Sequence, residues 1–180
     1  MRHVHLSEKD LQTLFGEDAK LDVERPLSQP GQFLSKQRVK LIGKGDKCFE
    51  NVGIIGPTRS VSQIEISRTD AFALGYREVP LRLSGDLDGD LPLITVQNGG
   101  NTILAKAIIA KRHIHLDPVM AKKIGVLHGN VIKIKVSGAR AAILGEVIAR
   151  VDKDFIPAIH LDSDESNAVD NPQLAEILFD

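Results

Sequence analysis

Arg2-His3-Val4-His5-Leu6 returns as Arg112-His113-Ile114-His115-Leu116, and these two copies hold four of the chain's six histidines. In an extended strand, residues i and i+2 point to the same face. His-x-His therefore aims two imidazoles at one point, as two ligands of a divalent metal require. Two copies predict a duplicated unit and two metals.

A third donor for each copy follows from position. Both His-x-His motifs end two residues before a helix N-cap, Ser7 or Asp117. Glu65 stands two residues before Ser67, and His160 two residues before Asp162. Each lies between apolar neighbours, in Ile64-Glu65-Ile66 and Ile159-His160-Leu161. The sets are then His3, His5 and Glu65, and His113, His115 and His160. Three such ligands with one position left open suit catalytic zinc, although nitrogen and oxygen donors also take cobalt or manganese. Any one of the six alone reads as a capping or solvated residue; the repetition carries the argument. His128 lies in a turn, Leu127-His128-Gly129-Asn130, and reads as solvated.

The elements that must position these donors are short. Ser7 begins a helix with Asp10 as a weak capping-box partner and Leu6 and Leu11 as a hydrophobic staple. Asp117-Pro118 is an N-cap followed by proline at the first helical position. Asp162 with Glu165 forms a capping box. Gly16, Gly75 and Gly125 mark helix ends. If these junctions converge, their free N–H groups and dipoles favour an anion such as phosphate.

The remainder is mainly β. Short β-rich segments are predicted at 38–42, 52–55, 93–96, 102–104, 107–110, 131–136 and 145–151, with turns at 43–46, 98–101 and 137–140. Many short strands with few helices predict two small β-barrels capped by short helices, with an internal pseudo-repeat. A seam near Ser84–Pro92 divides the repeat into 1–85 and 86–180. Asp86-Leu87-Asp88-Gly89-Asp90 fails the calcium-loop pattern: its glycine is misplaced and Gln97 stands where a closing Glu belongs. The second His-x-His follows a ready strand, 107–110, whereas the first follows only Met1. By its own repeat the chain reads as short at its N-terminus.

With 23 basic and 24 acidic residues, the net charge of −1 gives no electrostatic case for nucleic acid or a membrane surface. No long apolar run or signal-peptide pattern is present. The single cysteine, Cys48, excludes an internal disulfide and reads as a structural strand residue. The composition suits a cytoplasmic setting.

The chain resembles the phosphate propanoyltransferase family, the propanediol-utilisation type of phosphotransacylase. The resemblance rests on Arg2–Ser7, Leu27–Phe33, Gly56-Pro57-Thr58-Arg59, Gln63–Ala71, Ser84-Gly85-Asp86, Arg112–His115 and Ile159-His160. It implies two β-barrels with a two-zinc site between them, the first strand joining the C-terminal barrel and the central segment forming the other. Here that first strand is almost absent. It implies reversible acyl transfer between coenzyme A and phosphate, with acyl-CoA and phosphate as partners. Arg59 matches the family's phosphate-binding arginine, and a guanidinium fork suits phosphate. Ser84 is a weaker candidate for a substrate hydrogen bond. Some members are packaged in bacterial microcompartments for propanediol degradation by an N-terminal extension that this chain lacks; association with one, and a homo-oligomer, are compatible with the resemblance. The rival reading is a metal-dependent hydrolase acting on a thioester or phosphoester, since an open zinc site also activates water. A purely structural zinc, normally closed by four protein ligands, fits three donors poorly.

Overall fold

The computed structural model describes residues 2–178; Met1, Phe179 and Asp180 lie outside them. The fold is mostly β, 43% strand and 17% helix. In chain order the elements are β1 (His3–His5), α1 (Glu8–Phe15), β2 (Val23–Pro26), β3 (Phe33–Ile42), β4 (Cys48–Gly56), β5 (Gln63–Glu65), α2 (Arg68–Ala73), β6 (Leu81–Arg82), β7 (Leu93–Asn98), β8 (Asn101–Ala110), β9 (His113–Leu116), α3 (Pro118–Ile124), β10 (Val131–Val136), β11 (Ala142–Val151), β12 (Ala158–His160), α4 (Ser163–Ala168) and β13 (Ala175–Leu178).

Two compact units form. The first runs up to Leu27 and from Gly31 to Ala110; the second holds Ser28–Pro30 and the chain from Lys111 onward. In the first, β3, β4, β1, β5, β8 and β7 pair in that order, and β7 pairs back onto β3, closing a six-stranded barrel. β2 and β6 lie outside the ring on β3 and β8. The alternating inward residues Val4, Leu41, Ile54, Ile64, Ile94, Val96, Ala107 and Ile109 fill it. Leu11 and Leu14 of α1, three apart and so on one face, are buried in the same core.

The second unit is an open sheet of five strands in the order β12-β9-β11-β10-β13, a half-barrel over Ile114, Leu116, Ile134, Val136, Val147 and Ala149. Its pairings repeat those of the first. β1 runs parallel to β4 and antiparallel to β5, as β9 does to β11 and β12. β7 pairs antiparallel with β3, as β13 does with β10. The counterpart of β8, between β12 and β13, is absent among the described residues, which leaves this sheet open.

Local chemistry explains the helix starts. Asp70 N donates to the Ser67 side chain and Ser67 N to the Asp70 carboxylate, a complete capping box; Asp162 and Glu165 form another. At α1 the box is relayed. Ser7 N donates to Ser62 Oγ, and that hydroxyl donates to the Asp10 carboxylate. Cys48 opens β4 but is exposed, so it makes no packing contribution of the kind its strand position suggested. No helix among the described residues is long and apolar enough to cross a membrane.

Candidate metal centres

In the first unit, antiparallel pairing puts His3 directly opposite Glu65 and His5 opposite Gln63. The period of two turns both imidazoles toward the Glu65 carboxylate. His3 Nε2 lies 3.2 Å from His5 Nε2, and the two nitrogens lie 3.7 and 3.5 Å from Glu65 oxygens. In the second unit the same register puts His113 opposite His160. The three ring centroids there are 4.5–4.9 Å apart. Within each triad all the donor atoms fall within 4.8 Å of one another. The arrangement can accommodate one cation per triad.

Which nitrogen of each ring is available follows from the backbone. His5 Nδ1 is 3.1 Å from Ile55 O, and His113 Nδ1 is 2.9 Å from Lys111 O. A carbonyl accepts only, so each Nδ1 carries the proton and Nε2 keeps its lone pair, the tautomer a metal ligand needs. His115 is different. It is 4% exposed, and neither ring nitrogen has a hydrogen-bond partner. Its ring is held by stacking on Phe155, with centroids 3.9 Å apart. A buried imidazole without partners is costly unless a further group meets it, and a cation in the triad would supply one.

Electrostatics favour the deprotonated forms of His5, His115 and Glu65. Burial, with the neighbouring charges of His3 and Arg59, pushes His5 down to about 4 despite the hydrogen bond its protonated form gives Glu65. Burial and the charges of His160, His113 and Arg150 push His115 down to about 3. Burial alone would raise the Glu65 carboxyl, but the hydrogen bond that protonated His5 gives it and the charges of protonated His3 and His5 outweigh it and hold Glu65 below the usual carboxylate range. These shifts contribute to the acid behaviour of metal-free protein. A histidine whose folded pKa is depressed takes up its proton first in the unfolded chain, so stability is lost as pH falls from 6.5 toward about 4. Glu65 adds a further loss below its ordinary 4.5. After chelation, melting temperature should fall steadily across this window. His5 alone contributes a slope of up to about 1.4 kcal/mol per pH unit. A flat melting temperature between pH 6.5 and 4 would contradict the assignment.

Arg59 and Ser84 belong to the first triad's surroundings. Arg59 N donates to Leu6 O at 2.9 Å, anchoring the arginine one residue beyond the His-x-His strand. Its Nη1 donates to Ser84 Oγ at 2.9 Å, and Ser84 Oγ donates to Glu65 Oε1 at 2.6 Å. Gly56, three residues before Arg59, makes room for the Phe33 ring: a Cβ there would lie 2.3 Å from it, so any side chain displaces Phe33. Gln63, fully buried, donates to the same Glu65 oxygen and accepts from Gly85 N. Gln63 stands outside the predicted site residues, though Gln63-Ile64-Glu65 places it on the ligand face by the period that aligns His3 with His5. Phe155 stands outside them too, and no local signal marks it.

Within each unit the two helix N-termini do not converge. Because β1 and β5 are antiparallel, α1 and α2 leave from opposite ends of the pair, and β9 and β12 part α3 from α4 in the same way. Arg59, through Ser84, supplies a cationic group beside the first triad.

Residues 1–171 match the family model described as phosphate propanoyltransferase. The chain is 48% identical over 172 residues to the phosphate propanoyltransferase of Thermotoga maritima, covering 93% of this chain and 80% of that protein. It is 44% identical to that of Shewanella putrefaciens and 42% to that of Enterococcus faecalis, each over 93% of this chain and 79% of the relative. The chain belongs to the phosphate propanoyltransferase family of acyltransferases.

Proposed function

We propose that the chain catalyses reversible transfer of a short acyl group, propanoyl or acetyl, between coenzyme A and phosphate, with one zinc held by His3, His5 and Glu65 and another by His113, His115 and His160. The observation that carries this reading is the pair of three-donor clusters in one register, the first with Arg59 beside it. Bound zinc would supply Lewis acidity toward a carbonyl or phosphate oxygen.

The residues' own tasks follow from their chemistry. Arg59 holds phosphate oxygens with its guanidinium fork, and the Ser84 hydroxyl, already bonded to Arg59, offers a further hydrogen bond. Gln63 and Ser84 fix the Glu65 carboxylate, so it need not reorient when a ligand enters. A phosphate oxygen then attacks the thioester carbonyl carbon. The C–O bond forms, the C–S bond breaks, and coenzyme A leaves as its thiolate. Acyl-CoA and phosphate are the partners this assigns. The cytoplasm, or a microcompartment for propanediol degradation, is the setting the family suggests, and cell fractionation reads it.

The test is coenzyme A release from propanoyl-CoA with and without phosphate, on protein purified without chelator and analysed for metal. Phosphate-dependent release with about two zinc-class ions per chain is expected. Release in water alone would replace the transferase with a hydrolase, and protein without transition metal would remove the metal assignment.

A further inference from the structure

The residue just before each His-x-His is an arginine, and the two make the same contact. Arg2 Nε and Nη2 donate to Asp70 Oδ1 at 3.0 and 2.6 Å, and Arg112 Nε donates to Glu165 Oε1 at 2.7 Å. Asp70 and Glu165 are the capping-box acids of the helices that begin just after Glu65 and His160. Each acid divides its oxygens. One accepts from the arginine; the other accepts the N-cap backbone N–H, of Ser67 at 3.3 Å or Asp162 at 3.1 Å. Each arginine also reaches the strand running parallel to its own. Arg2 lies 4.0 Å over the Phe49 ring of β4, and Arg112 Nη1 donates to Gly145 O of β11 at 3.4 Å.

We infer that Arg2 and Arg112 are positioning residues, each setting the geometry of one metal triad. This rests on the metal reading proposed above. The ligands of a triad come from two strands that share only three residue pairs. So short a ladder fixes the third ligand weakly. The arginine joins the start of the His-x-His strand to the helix cap two residues beyond that ligand, so the three donors are held from both sides. An ordinary exposed ion pair has little effect. Here the acid side chains are only 6% and 17% exposed, and both are already committed to a cap. The contact recurs in two units whose acids differ, Asp in one and Glu in the other. Supports of this kind, one step removed from the metal, typically change affinity 10–100-fold.

The experiment is cobalt titration, with competition against a chromophoric chelator, of the whole chain and of Arg2→Met, Arg112→Met, Arg112→Lys and Glu165→Gln. Glu65→Ala and His160→Ala, each retaining one metal, identify the two cobalt spectra. Arg112→Met is expected to weaken the His113–His115–His160 site about tenfold or more and alter its d–d bands while sparing the other; Arg2→Met should do the reverse. Arg112→Lys should recover little, because an ammonium cannot hold the acid and Gly145 O with a fork. Glu165→Gln keeps a cap acceptor but loses the charge, so it should copy Arg112→Met; it also serves if the arginine variants do not fold. Two metals at unchanged affinity in folded Arg112→Met or Glu165→Gln would overturn the inference, as would equal weakening of both sites, which signals general destabilisation. If the unaltered chain binds no cobalt, the metal reading and this inference fall together; if it binds two and the variants match it, only this inference falls.

Discussion

Glu65→Ala and His160→Ala are each expected to lose about one metal per chain and to lower acyl transfer about 1,000-fold or more. The two residues occupy one position in the repeated register, opposite His3 and opposite His113, so each completes a different triad. Two histidines on one strand remain in each variant, and two ligands hold zinc far less firmly than three. If both metals serve one reaction, losing either stops it rather than halving it: metal stabilisation of developing charge is worth several kcal/mol, and about 4 kcal/mol is 1,000-fold. The folds should survive. His160 is only half-buried, and Glu65 faces the triad while Ile64 faces the core. Removing Glu65 leaves the Ser84 and Gln63 donors without their shared acceptor, so a modest fall in melting temperature is expected there. The measurements are metal content and transfer rate of the two purified variants, with circular dichroism to establish folding. Full metal content with a near-normal rate in either one would show that its role has been misassigned.

The sequence made the repeat legible because its signals are local. Period two aims His3 with His5, and a capping pattern follows each donor within two residues. Reading Glu65 and His160 as counterparts matches the register in which the two strands pair. What escaped depends on contacts between distant residues. β8 looked like two segments, 102–104 and 107–110, because Ala105-Lys106 interrupts the apolar run. In the fold Ala105 and Ala107 face the core, and Lys106 turns outward to donate to Leu87 O at 2.7 Å. β2, Val23-Glu24-Arg25-Pro26, is exposed throughout and carries no apolar alternation to detect. The closed ring of one unit and the open sheet of the other differ by a single strand, and no short stretch of sequence encodes a closure. Phe155 reaches His115 across forty positions, and Ser62 completes the α1 cap from fifty-five positions away. Both are products of tertiary packing.

Arg59→Ala is expected to lower kcat/KM for phosphate about 100-fold while changing the KM for acyl-CoA little. Backbone anchoring to Leu6 and the bond to Ser84 hold the guanidinium beside the Glu65 triad. A charged donor pair aimed at an anion is worth about 1.5–3 kcal/mol, and more where water is excluded, so a loss near 100-fold is the central estimate. Arg59→Lys should restore only a small part, because an ammonium cannot make two parallel bonds to one phosphate. Ser84→Ala should cost less, about tenfold, since it removes one neutral hydroxyl and loosens the guanidinium it touches. The half-buried Arg59 side chain contributes little to the core, so the variant should fold with normal metal content. That combination separates its role from those of the six donors: their loss removes metal and rate together, whereas loss of Arg59 should leave the metals in place and raise the phosphate requirement. Unchanged phosphate kinetics in a folded, metal-replete Arg59→Ala protein would remove Arg59 from the site. A loss of metal in that variant would instead make it a support for Glu65, acting through Ser84.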